Sequence, residues 1–300
     1  MGHDHHHHGH HHHGSVENIK IALILNASFA VIEIVGAFLT NSVAILADAV
    51  HDLGDSMALG LAYAFEKKAK RRPDARMSYG YRRFSLLSAM LTSLFLIAGS
   101  VYVLTETIPK LFDPEMPHAT GMIGLALLGV AVNGYAAMRT HGGETLNEKV
   151  VTWHLMEDLL GWVAVLICGI VLQFVEWPIL DPLLSLGLTL FILRGVYKSL
   201  RSTMHVFLQG VPENIDISEV EAKIKSLDNV VDTHDGHMWS LDGEAHVFTL
   251  HVVVEEGTRL ERCEQLKSEI RTLLQGIGKI HLTVEFEIRG AHRAEDHSAG

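Results

Sequence analysis

The chain has 300 residues, 48% of them hydrophobic and 20% charged, with a mean hydropathy of +0.21. A formal net charge of -11 excludes nucleic acid as a natural partner. Two cysteines, Cys168 and Cys263, exclude a disulfide framework and fit a reducing compartment for the soluble part.

The chain opens on a histidine tract: nine of the first fourteen residues are His, interrupted by Asp4 and Gly9. Residues 1–16 are expected to form a disordered tail when metal-free. The tract either collects cytoplasmic metal or is an expression tag. No basic stretch precedes an apolar run, so no cleavable signal peptide is expected. The first apolar segment would then serve as anchor and targeting signal together.

Crossing the hydrocarbon of a bilayer takes roughly 20 residues of helix. Six segments qualify, at about 18–39, 41–65, 84–108, 119–138, 150–174 and 179–200. Residues 17–208 are therefore predicted to be a six-helix, all-α membrane bundle. The loop after the second segment is basic (Lys67, Lys68, Lys70, Arg71, Arg72, Arg76, Arg82 and Arg83), and Arg194, Lys198 and Arg201 lie near the end of the sixth. The loops after the third and fifth are largely acidic. An excess of Lys and Arg marks the cytoplasmic side, which puts both termini in the cytoplasm. Asp181 followed by Pro182 reads as an N-cap with proline at the first helical position of the sixth helix.

Beyond residue 208 the composition becomes that of a soluble domain, predicted over 209–290, with a second disordered tail at 291–300. Ile217–Leu227 and Arg259–Leu274 have helical periodicity. Val230–Trp239, His246–Val254 and Lys279–Ile288 read as strands. Asp242-Gly243 signals a hairpin between the first two. An α-β-β-α-β order with an antiparallel sheet is expected, an α+β sandwich.

The chemistry concentrates in two membrane segments. The second contains Asp48, His51, Asp52 and Asp55, within an arc of roughly 100° on a helix. The fifth repeats the His-x-x-x-Asp spacing with His154 and Asp158. A spacing of four residues puts both side chains of each pair on one face. A carboxylate at mid-helix costs about 2.5–3.5 kcal/mol on insertion scales, so two such pairs need compensation. Two imidazoles and two carboxylates suit tetrahedral Zn2+, and one dication cancels two carboxylates. Without thiolate the site is exchangeable, and histidine protonation competes with metal. One site can thus hold metal or protons, the minimum for antiport. Asp48 and Asp52 are read as supporting groups, a proton path or water-facing residues. Asn26, Glu33 and Asn133 are read as interhelical hydrogen-bonding groups or as lining an access route.

The stretches Asn41–Asp55, Ser78-Tyr79-Gly80-Tyr81-Arg82-Arg83, His154-Leu155-Met156-Glu157-Asp158 and Asp181-Pro182 resemble the cation diffusion facilitator family of zinc transporters. The resemblance implies that His51, Asp55, His154 and Asp158 form the transport site, with proton exchange and alternating access. It implies a zinc preference over cadmium from His at position 51, with Cd2+, Co2+ and Ni2+ as further substrates. It also implies a cytoplasmic ferredoxin-like, metallochaperone-like domain, a homodimer, and a multi-pass protein of a bacterial-type inner membrane. Further zinc would bind through His234, His251 and His281 on the strands of that domain, with His237 and His246 as weaker candidates. Members with an added site in the second-to-third loop use Asp and His there; Asp74, Met77 and Tyr81 stand in those places, so that site is not expected.

Two other functions are weighed. An intramembrane metallohydrolase needs an open-coordinated zinc beside a general base, and the sequence has no His-Glu-x-x-His. A membrane-anchored zinc sensor or buffer fits the histidine tract but not paired ligands in mid-bilayer. The chain is therefore expected to be a carrier and not an enzyme.

Overall fold

The structure is a computed structural model, and it describes residues 13–140 and 146–289. Residues 1–12, with all of the histidine tract but His13, and residues 290–300 lie outside the described residues, while residues 13–16 of the expected N-terminal tail belong to the first helix. Six long helices come first: α1 (His13–Thr40), α2 (Val43–Ala69), α3 (Phe84–Phe112), α4 (Ala119–Thr140), α5 (Leu146–Phe174) and α6 (Leu180–Phe207). Five are long and apolar enough to cross a membrane; α2, with Asp48, Asp52 and Asp55, is the exception. Large apolar side chains such as Leu39, Phe112 and Phe174 point outward, an arrangement that suits lipid.

The chain divides into two compact units. The first takes residues up to 65 together with 88–199. Its core gathers around the fully buried Trp162 of α5, packed by Phe29, Ile45, Met122, Val103 and Val165. Gly129 of α4 leaves room for the indole, since a Cβ there would overlap the ring. α1 ends in a Schellman turn: the N–H of Ser42 donates to Ala37 (3.1 Å), that of Asn41 to Phe38 (3.4 Å), and Asn41 takes φ 56°.

The start of α2 corrects one expectation. Asp181 does not cap its own helix. α6 begins at Leu180, and the Asp181 carboxylate instead accepts from the Ser42 hydroxyl, from Val43 N–H at 2.8 Å and from Ala44 N–H at 3.4 Å. The Ser42 hydroxyl in turn accepts from Ile45 N–H (3.2 Å). The orphan donors of the first turn of α2 are thus satisfied by Asp181 of α6 and by the Ser42 hydroxyl.

The second unit takes residues 66–87 and those from 200 on. It contains α7 (Ile217–Lys225), β1 (Val230–Ser240), β2 (Ala245–Val254), α8 (Leu260–Leu273), a short 3-10 turn (Leu274–Ile277) and β3 (Lys279–Ile288). Asp216 caps α7 by accepting from Ser218 N–H at 2.9 Å. The core joins Ile224, Phe248, Leu250, Leu266 and Ile270. The sheet order is β1-β2-β3. β1 and β2 pair antiparallel through the turn at Asp242-Gly243, but β2 and β3 run parallel, against the expectation of an antiparallel sheet. The reason is the connection: α8 carries the chain back across the sheet before β3 begins, and a helical crossover returns the next strand in the same direction. Within the 66–87 segment, Arg82 pairs with Asp242 at 2.9 Å.

Candidate metal site

α2 and α5 each present a His-Asp pair one turn apart, and the two pairs face one another. Nε2 of His154 lies 3.0 Å from Oδ2 of Asp55, and Nε2 of His51 lies 3.5 Å from Oδ1 of Asp158. Along each helix the His–Asp separations are 3.7 Å and 3.8 Å. The two imidazoles meet edge to face, with centroids 5.9 Å apart at 72°. One potential ligand atom from each of the four residues lies within 4.8 Å of the others. All four side chains are half-buried. Nδ1 of His51 and Oδ1 of Asp158 are buried with no hydrogen-bond partner among the described residues.

Small residues let the helices approach. A Cβ at Gly54, between His51 and Asp55, would overlap Leu96 of α3. The donor set is two nitrogens and two carboxylates, which suits a borderline dication such as zinc. Two negative charges against a double positive charge leave the site neutral.

Asp48 and Asp52 are not water-facing: they are 6% and 5% exposed, and they turn to Glu33 of α1. Asn26 of α1 donates to the Asp52 carbonyl at 3.3 Å, the interhelical role expected of it. Asn133 bonds within its own helix, to Gly129 O at 3.2 Å.

A second cluster lies on the sheet. His234 and His251 are cross-strand partners on β1 and β2. Glu287 of β3 reaches both, at 3.2 Å from His234 Nε2 and 2.7 Å from His251 Nδ1. The His251 hydrogen bond holds the Glu287 carboxyl below the usual range, with His234 adding to it. His281 does not join this group. β3 runs parallel to β2, so the residue abreast of His251 is Glu285, while His281 sits opposite Val247 with its ring against Tyr79 (5.6 Å). Glu287 was missed because its place follows from that register; the only sequence trace is the alternation of Glu285 and Glu287. His237 pairs with Asp235 (2.8 Å), and His246 is buried, with its pKa lowered by that burial. The Asp74 carboxylate is committed to the Tyr81 hydroxyl (2.8 Å) and to two N–H groups of its own turn, which hold its pKa low.

Against known families, residues 19–208 match the cation efflux transmembrane domain, well over half of the chain. The chain belongs to the cation diffusion facilitator family. Residues 212–289 match the family's cytoplasmic domain. Among relatives of this cation diffusion facilitator, a cadmium, cobalt and zinc/H(+)-K(+) antiporter of Bacillus subtilis is 31% identical, covering 96% of this chain and 92% of its own length. The metal cation efflux system protein CzcD of Cupriavidus metallidurans is 33% identical (98% and 92%). Zinc transporter ZitB of Pectobacterium atrosepticum is 31% identical (85% and 79%). These names describe carriers, not enzymes. The protein is a multi-pass integral membrane protein of this family.

Proposed function

We propose that this efflux protein carries a divalent metal, zinc by preference, out of the cytoplasm in exchange for protons, by alternating access around His51, Asp55, His154 and Asp158. The observation that carries the reading is the convergence of two His-x-x-x-Asp pairs from α2 and α5 on one cation-sized space. The relatives' cargoes, cadmium, cobalt and zinc, are the cations this nitrogen–oxygen set would take, with nickel close behind.

In this reading all six long helices span the bilayer, α2 included. Its aspartates face α1 and α5 rather than lipid, which lets a charged helix cross. The transport domain covers 17–208 and the cytoplasmic domain 209–290, between tails at 1–16 and 291–300. Both termini lie in the cytoplasm of a bacterial-type inner membrane. The cytoplasmic domain is of the ferredoxin-like, metallochaperone-like kind, and it pairs two chains into a homodimer. His234 and His251, with Glu287 in the place first given to His281, would hold regulatory zinc there.

The test is zinc uptake into sealed proteoliposomes. Asp55→Ala and His154→Ala should each abolish flux, while zinc binding by the cytoplasmic histidines persists. Normal flux in either variant would remove that residue from the site. A protein that binds zinc at the quartet but moves none would be a sensor or buffer instead.

A further inference from the structure

The unit that holds the cargo quartet also contains a group of acids that the quartet does not use. Asp48 and Asp52 sit one turn apart on α2 and are almost fully buried. Such a pair would not by itself make a site. What changes its meaning is Glu33, which comes from a different helix, α1. Glu33 is 0% exposed, and both its carboxylate oxygens are buried with no donor reaching them. Oδ2 of Asp48 is in the same condition. One oxygen from each of the three carboxylates lies within 4.8 Å of the others. On the side of α5 the space is kept open by Gly161, where a Cβ would stand 3.3 Å from Oδ1 of Asp48.

Three carboxyl groups have been brought together from two helices in a buried interior. Among the described residues, no lysine, arginine or histidine forms an ion pair with any of them. A dication in the quartet is already matched by Asp55 and Asp158, so it does not serve these three carboxyl groups. Converging carboxyl oxygens, three of them buried without a hydrogen-bond partner on Glu33 and Asp48, are the arrangement that a cation's oxygen ligands adopt.

We propose that Glu33, Asp48 and Asp52 form a second site for a divalent cation, built of oxygen alone and separate from the nitrogen-containing cargo quartet. Its chemistry selects differently from the quartet. Carboxylates without imidazole favour hard cations of the manganese and calcium kind, whereas imidazole favours zinc. An ion here ties α1 to α2, the helix that carries His51 and Asp55.

The experiment uses the full-length chain in lipid nanodiscs with Mn2+ as probe, counted by electron paramagnetic resonance. The His154→Ala variant serves as the parent, so that the quartet is broken. The parent should hold one Mn2+ equivalent per chain without nitrogen coupling in its pulsed spectrum. Glu33→Gln and Asp48→Asn, each close in shape to the natural residue, should each weaken that equivalent at least tenfold. The same two substitutions in the unbroken chain should leave a zinc equivalent bound to the quartet, which shows that the fold survives. Three results would overturn the site: Mn2+ binding unchanged in both variants, an equivalent coupled to nitrogen only, or no Mn2+ held by the parent. The last would mean that the three acids carry protons alone.

Discussion

His51 differs in kind from the other candidate ligands on its helix. Its imidazole is a neutral nitrogen donor, and exchanging it for a carboxylate would give a site of three carboxylates and one nitrogen. That set carries one more negative charge than a dication can cancel, and it gives up one of the two imidazole donors that suit zinc. The His51→Asp variant should therefore lose zinc-over-cadmium discrimination by roughly tenfold, equivalent to about 1.4 kcal/mol. Competition of cadmium with zinc uptake in proteoliposomes measures this, and an unchanged ratio would take selectivity away from residue 51. The four quartet residues were legible in the sequence because helical spacing alone puts residues four apart on one face, and the motif occurs twice. Glu33 and Glu287 were not legible as cluster members. Each meets its neighbours only through helix packing or strand register, which spacing along the chain does not encode.

At the scale of elements, apolar length gave five of the six long helices, α2 with its three aspartates being the exception, and turn chemistry gave the β1–β2 hairpin. The parallel β2–β3 pairing was hidden, because strand direction depends on where α8 returns the chain. The partner of Asp181 was hidden for the same reason, since α2 lies about 138 residues away along the chain. Packing between α4 and α5 makes a sharp prediction. Gly129→Ala would drive a methyl into the buried, rigid Trp162 ring, whereas Gly124→Ala on the same helix meets nothing within 4 Å. Both substitutions gain helix propensity, so their difference isolates the clash. Gly129→Ala should be less stable than Gly124→Ala by about 1–3 kcal/mol in thermal unfolding, and equal midpoints would refute the contact. A second prediction concerns the hairpin. Burial raises the pKa of Asp242, but the Ala245 N–H, the Arg82 guanidinium and the Glu244 N–H outweigh it and hold the pKa below the usual value. A depressed carboxyl adds stability above its unfolded value near roughly pH 3.9, and that stability is lost as pH falls toward the folded value. Protection of the β1–β2 amides, their exchange rate relative to that of unstructured chain at the same pH, should therefore fall below about pH 4. Asp242→Asn should flatten that response and cost about 1 kcal/mol at neutral pH. An acid profile identical to that of the parent would show that the turn does not depend on the charge.

For the whole molecule, if the quartet is the transport site proposed above, its charge constrains the transport cycle. With a dication bound, two carboxylates are cancelled. Once the metal leaves, the same two carboxylates stand in a half-buried site within the membrane, with two imidazoles at 3.0 and 3.5 Å across the helix pair. Neutrality is then regained most directly by protonating both imidazoles, because a carboxylate left unpaired inside the membrane is costly. Each imidazolium would donate to the carboxylate already facing it on the opposite helix. A carrier built this way returns with protons where it left with metal, so the two fluxes are linked and opposite. In proteoliposomes an inside-acid gradient should accelerate zinc entry several-fold, and zinc entry should make the lumen more alkaline. Collapsing the gradient with a protonophore should bring the rate down to that of a symmetric vesicle. Zinc uptake at one rate under inside-acid, symmetric and inside-alkaline conditions would leave the imidazoles without a part in the return step.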